Sequence, residues 1–154
     1  MAGAEVIAPA TDTEREWCAQ LMATSEPWTT LGRTLDQCRA RLSQPEYLLW
    51  VAHEGGEPAG FLLAHPCGAM GSPYIASIAV AAPHRGQGTG RQLVAHAESF
   101  FAATARHIFL CVSSFNARAR QLYERLGYEI IGELRDYVID DASETLMHKW
   151  LVKR

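Results

Sequence analysis

Several kinds of signal are missing from this sequence. The four cysteines, Cys18, Cys38, Cys67 and Cys111, are far apart and form no C-x-x-C pair. Neither a zinc site nor a disulfide framework is indicated, and reduced thiols are expected. The six histidines never fall at His-x-x-x-His spacing, so no metal is predicted. A basic excess is missing as well: the formal net charge is -3, which gives no field of the kind that a phosphate backbone or an anionic membrane selects. Nucleic acid is therefore not an expected partner. No uninterrupted apolar run approaches the ~20 residues of a membrane span, and the opening MAGAEVIAPATDTERE has no basic region followed by an apolar core. The expectation is a cytoplasmic protein without membrane association, monomeric or homodimeric. With no repeat, low-complexity tract or long linker, and with 48% of residues hydrophobic, residues 1–154 are expected to form one domain with a real core.

What is present alternates between helical and strand periods. A short strand is expected over Glu5–Ala8. Thr11 with Glu14, and Thr13 with Glu16, both have capping-box spacing, so a helix is expected to start there and to stop before Ser25-Glu26-Pro27. Thr34 and Gln37 mark a second helix with Leu35, Cys38 and Leu42 on one face, ending at Ser43-Gln44-Pro45. Tyr47–Ala52 and Gly60–Ala64 flank the turn residues Glu54–Pro58 and read as a hairpin. A flexible link is expected from Gly68 to Pro73. Tyr74–Val80 is apolar on both faces, as in the middle of a sheet.

From Gly90, the residues Leu93, Val94, Ala97, Phe100 and Phe101 form one helical stripe, and Ile108–Val112 follows as a second buried strand. Strand, helix and strand make a crossover, hence a parallel pair. A last helix carries Ala119, Leu122, Tyr123 and Leu126 on one face, with Gly127 as its left-handed terminator. Tyr128–Leu134 and Glu144–Leu151 are expected to close the chain as strands. The fold class is α/β with a mixed sheet.

The stretch with most chemical content is Arg85-Gly86-Gln87-Gly88-Thr89-Gly90, between a buried strand and a helix. Glycines allow close backbone approach, and N–H groups at a helix start favour an anion, so a phosphate or pyrophosphate fits there. A P-loop would need Gly-Lys-Ser/Thr, and a dinucleotide fingerprint a glycine interval one residue longer. Neither is present.

The string IAVAAPHRGQGTGRQLV resembles the coenzyme A signature of the GNAT acetyltransferase superfamily, Arg/Gln-x-x-Gly-x-Gly/Ala, matched by Arg85, Gly88 and Gly90. The run from Asn116 to Tyr128 is similar to the second signature of that family, in which an asparagine precedes a helical tyrosine by seven residues and Leu-Gly-Tyr/Phe ends the helix.

The resemblance implies a sheet of about six to seven strands with helices on both faces. Its central parallel strands, Tyr74–Val80 and Ile108–Val112, would splay apart to admit acetyl-coenzyme A. It implies coenzyme contacts at Ile78, Ala79, Val80, Arg85, Gly86, Gln87, Gly88, Thr89, Gly90, Arg91, Asn116, Ala119 and Tyr123. Tyr123 would be the general acid, since a phenol of pKa about 10 is matched to a departing thiolate. Asn116 also has a structural role open to it, as a helix N-cap.

Many relatives carry a glutamate on the strand matching Tyr74–Val80, and here that strand has none. Glu133, or water held by backbone and Ser77, are the candidate bases. Cys111 as an acyl carrier is disfavoured, because a buried cysteine without a charged partner is inert. The acceptor groove is expected around Trp28, Tyr74, Asp136 and Tyr137, where Glu133, Asp136, Asp140, Asp141 and Glu144 make the end acidic and would attract a cationic amine. The acceptor is expected to be a small-molecule amine or a peptide amino terminus; a coenzyme-binding sensor without catalysis is the other class.

Overall fold

The structure is a computed structural model describing residues 6–152. Two capping boxes set its first helices. Glu14 N–H donates to Thr11 Oγ1 at 3.2 Å while Thr11 N–H donates to Glu14 Oε1 at 2.9 Å, which starts α1 (Asp12–Ala23). Thr34 and Gln37 exchange the same bonds at 3.1 and 2.9 Å and start α2 (Leu35–Leu42). Such a cap satisfies donors that the helix itself leaves unpaired and contributes about 1 kcal/mol. The alternative spacing, Thr13 with Glu16, lies inside α1.

β1 (Val6–Pro9) covers the part of the expected first strand that lies within the described residues; Glu5 is outside them. β2 (Leu48–Glu54) and β3 (Glu57–Ala69) are joined through Gly55 and Gly56, both left-handed at φ 58° and 79°. This is the two-residue turn whose twist matches paired strands.

β3 is longer than its pattern predicts, and the expected flexible link from Gly68 to Pro73 is instead an ordered hairpin. A register irregularity between His65 and Ala69 takes up Pro66-Cys67-Gly68. Met70 and Gly71, at φ 51° and 80°, then make a second tight turn into β4 (Ser72–Val80). The remaining elements are α3 (Thr89–Ala102), β5 (His107–Ser113), α4 (Ala117–Arg125), β6 (Glu129–Arg135) and β7 (Ser143–Trp150). Gly127, left-handed at φ 96°, follows the end of α4.

All seven strands form one sheet in the order β1-β2-β3-β4-β5-β7-β6. The β4–β5 pair is parallel and the others are antiparallel. On one face Cys18, Ala19 and Met22 of α1 and Cys38 and Leu42 of α2 pack with Val51, Phe61 and Leu63. On the other, Leu93, Val94, Ala97 and Phe101 of α3 and Tyr123 of α4 pack with Trp50, Leu62, Leu110 and Met147. Phe100, expected on the buried stripe, is 51% exposed and meets Trp50 edge-on at its rim.

The pairing of β4 with β3 is interrupted a second time, in the middle of β4. Leu63 pairs with Ser77 and Ala64 with Ile75, so Ala76 is an extra residue between them. A bulge of this kind breaks the two-residue alternation. Ile75 and Ile78 accordingly pack with the α3/α4 core, and Ala76 and Ala79 with the α1/α2 core.

β3 and β4 also approach closely at Gly60, where a Cβ would lie 2.7 Å from the Ala79 carbonyl oxygen. Gly60→Ala should therefore destabilise the protein by about 1–3 kcal/mol through overpacking. Urea unfolding should show a lower midpoint at unchanged m-value.

Candidate functional site

β4 and β5 pair only at Tyr74↔Phe109 and Ile75↔Leu110. β3 nevertheless stays registered with β4 to Val80, and β7 with β5 to Ser113. The sheet therefore opens in its middle while its flanks hold, beginning at the Ala76 bulge. A cavity of about 600 Å³ occupies the opening, a volume suited to a small-molecule ligand. Ile78, Ala79 and Val80 line it from β4, Gly90 from α3, and Asn116, Ala119 and Tyr123 from α4. From Ala76 to Val80 the edge of β4 turned toward β5 is unpaired by that strand, so it presents backbone groups that an extended ligand arm can bond as an added strand would.

The coenzyme-type loop sits at one end. Gly86 and Gly88 are left-handed at φ 75° and 85°, and Gly88 is the N-cap of α3. Arg85 Nε donates to the Val80 carbonyl at 3.0 Å, which ties the loop to the end of β4. His84 Nδ1 lies 2.9 Å from the buried carboxylate of Glu54, anchoring the start of the loop to the β2–β3 hairpin. Thr89, 1% exposed, has a buried hydroxyl without a hydrogen-bond partner. A buried orphan donor beside the unpaired N–H groups of a helix start fits an anionic ligand. Gly86, Gln87 and Arg91 lie around this N-terminus outside the cavity wall.

Tyr123 is buried at the cavity wall, and burial pushes its phenol well above the ordinary range. Its ring meets Tyr128 edge-on at 6.0 Å. The Tyr128 hydroxyl donates to Glu98 Oε2 at 2.9 Å, and Lys149 Nζ donates to Glu98 Oε1 at 3.0 Å. That network fixes the ring against which Tyr123 rests. Asn116 is the N-cap of α4, accepting from the Ala119 N–H at 3.4 Å, and it also lines the cavity. The capping role and a place in the site therefore coexist.

The other end is formed by Trp28, stacked on Phe61 at 6.5 Å, with Tyr74, Cys111, Tyr137 and Glu144. Trp28, Tyr74 and Tyr137 are thus brought together as expected. Glu133 and Asp136 are not: Glu133 is exposed on the edge strand β6, and neither residue lines the cavity. Asp136 Oδ1 instead accepts from the Asp141 N–H at 2.7 Å, so the acidic turn is folded on itself. Asp140 and Asp141 do not line the cavity either.

Arg33 and Arg41 line the wall without being expected there from the sequence, and Glu144 is the one member of the expected acidic stretch that reaches it. Glu144 is the only carboxylate on the wall among the described residues, and its Oε2 accepts from Ser113 Oγ at 2.7 Å. Arg41 comes from the polar side of α2. The alternation in β7 sets Glu144 and Leu146 on the face opposite Thr145 and Met147, but only the pairing with Ser113 brings Glu144 to the gap. Among the described residues no group of three or more His, Cys, Asp or Glu is placed to hold a metal, and no helix is long and apolar enough to cross a membrane.

A sequence model of the Acetyltransferase (GNAT) family matches residues 12–128. The chain is 33% identical over 96 residues to an uncharacterised N-acetyltransferase of Bacillus subtilis, YhfO, across 59% of this chain and 64% of that protein. It is 42% identical over 65 residues to N-alpha-acetyltransferase 40 of Saccharomyces cerevisiae, across 36% of this chain and 22% of that protein. The matches thus span less than two thirds of either relative. Among solved structures, an aminoglycoside 6'-N-acetyltransferase complexed with coenzyme A superposes with a TM-score of 0.80 at 19% identity, covering 97% of this chain and 98% of that one.

Cys111 faces the cavity beside Tyr74. Burial raises its thiol, against the lowering effect of the Tyr74 hydroxyl's hydrogen bond, and Glu144 raises it further. A raised thiol holds less thiolate at any pH below its pKa, so Cys111 is a poor nucleophile. Timed alkylation at neutral pH, followed by peptide mass spectrometry, should modify the exposed Cys67 at least about ten-fold faster than Cys111. Raising the pH should narrow the gap.

Proposed function

The chain belongs to the GNAT acetyltransferase family, and we propose from this that it moves an acetyl group from acetyl-coenzyme A to a primary amine by direct attack in a ternary complex. The observation that carries the reading is the opening between β4 and β5, with a glycine loop at one end and a buried tyrosine on its wall.

Acetyl-coenzyme A supplies an activated thioester. The chain's own groups bind it, orient it and move one proton. Gly86 to Arg91 hold the pyrophosphate through N–H groups at the start of α3, with the Thr89 hydroxyl as a further buried donor. The edge of β4 at Ile78, Ala79 and Val80 pairs with the pantetheine arm, and N–H groups near Ala79 and Val80 stabilise charge on the carbonyl oxygen. Asn116 and Ala119 close the arm from α4.

The neutral amine nitrogen forms the new C–N bond as the C–S bond breaks. The nitrogen releases its surplus proton to solvent, and the Tyr123 hydroxyl donates a proton to the leaving sulfur. Burial raises the Tyr123 phenol, which keeps it protonated before reaction. The same desolvation raises the basicity of a thiolate leaving beside it, so the transfer stays close to balanced.

Tyr123→Phe should keep coenzyme affinity, measured by calorimetry, and lose about 10²- to 10⁴-fold in turnover, measured as free thiol released with amine present. Wild-type turnover in the Phe variant would remove the acid role. Binding without thiol release from any amine would instead assign the chain to coenzyme sensing. Gly88→Val forces a β-branched residue into left-handed geometry, at a cost of about 1–3 kcal/mol. It should weaken acetyl-coenzyme A binding roughly ten-fold or more; unchanged affinity in a folded protein would move the pyrophosphate elsewhere.

A further inference from the structure

The end of the cavity away from the glycine loop carries both signs of charge. Arg41 lines it from α2; its Nη1 donates to the Tyr47 hydroxyl at 3.1 Å and its guanidinium lies 5.2 Å from the centre of that ring. No carboxylate pairs with Arg41 among the described residues. A neutral phenol takes up one of five donors and none of the charge. Glu144, across the opening on β7, is held by a single hydrogen bond from Ser113 and has no cationic partner among the described residues.

Tyr74 lines the cavity together with both charges and is influenced by each. Burial does most to raise its phenol, followed by Cys111; of the two charges, Glu144 pushes it further up while Arg41 pulls it down. Both charges therefore lie close enough to act on a phenol that lines the same cavity. A polycation would meet Arg41 and Arg33 on this wall, a like-charge juxtaposition that selects against it. The self-closed acidic turn at Asp136 offers the cavity no compensating carboxylate.

We propose that the acceptor is a free amino acid, bound with its ammonium group on Glu144 and its carboxylate on Arg41. This rests on the transferase reading and narrows it to a substrate that is both cation and anion. Arg41 supplies planar donors suited to a carboxylate. Glu144 holds the ammonium group at the edge of the gap until that group gives up one proton to solvent and faces the thioester as the neutral amine.

The test compares amino acids with their own amides, which keep the ammonium group and lose the carboxylate, alongside spermidine, kanamycin and C-terminally amidated peptides. Thiol release is read at saturating acetyl-coenzyme A, whose dissociation constant is measured separately by calorimetry. At least one amino acid should exceed its amide ten-fold or more in kcat/KM. Arg41→Gln should collapse that preference to within two-fold by raising KM for the acid, and Arg41→Lys should restore part of it. Glu144→Gln should raise KM for acid and amide alike, as expected when binding common to ground and transition states is lost.

Retention of acetyl-coenzyme A affinity in each variant shows that it is folded. A preference for amides, polyamines or amidated peptides overturns the proposal, as does a preference for acids that survives Arg41→Gln. If acetyl-coenzyme A binds and no amino acid accelerates thiol release, the amino-acid assignment alone falls. If acetyl-coenzyme A does not bind the wild-type protein, the transferase reading falls with it.

Discussion

The parting of β4 from β5 is the constraint on which the rest of the molecule depends. Strands in the middle of a sheet normally pair along their length, because buried backbone groups without partners are costly. Here the pair ends after Ile75 and Leu110, and the cause is local to β4. The extra residue at Ala76 turns the strand's remaining side chains half a period out of step. Ile78 then commits to the α3/α4 core and Ala79 to the α1/α2 core. Apolar burial on both faces holds β4 against β3 while its other edge stays open.

The opening joins the two faces of the sheet, and the chemistry divides accordingly. Tyr123 belongs to the core under α3 and α4, together with Leu110 and Val112 of β5. Cys111 and Ser113 alternate with those residues and point to the opposite face, where Ser113 bonds Glu144. The proton donor and the charged wall are thus on opposite sides of one strand. A thioester lying in the gap would be flanked by both. No loop has to bring them together, since the period of a strand already sets their separation.

Much of this frame is legible in the sequence because it rests on short-range rules. Thr11 with Glu14, and Thr34 with Gln37, start helices where their spacing places them, and Gly88 and Gly127 adopt the left-handed geometry their positions call for. The parallel crossover follows from order alone. What stays hidden depends on register or on long-range pairing. The length of β3 is obscured because Pro66-Cys67-Gly68 interrupts the alternation that marks a strand, while the strand bulges around it. Glu144 reads as one acid in an acidic stretch until its pairing with Ser113 separates it from Asp136 and Asp141, which bond one another. Arg41 stays hidden because a helix announces itself by its apolar face, and nothing local distinguishes a polar side that meets solvent from one that meets a cavity.

The two tight turns at Gly55-Gly56 and Met70-Gly71 also bear on the order in which the molecule is built. They make β2, β3 and β4 a meander of neighbours in sequence, whose contacts close over short loops and form early. The β4–β5 joint must wait for the crossover through α3, and it is then rewarded by only the Tyr74↔Phe109 and Ile75↔Leu110 pairs. The seam that holds the cavity is therefore the shortest pairing between neighbouring strands of the sheet. With so few paired backbone groups, protection from hydrogen exchange would rise from that seam toward the meander, which places the least protected joint of the sheet beside the cavity.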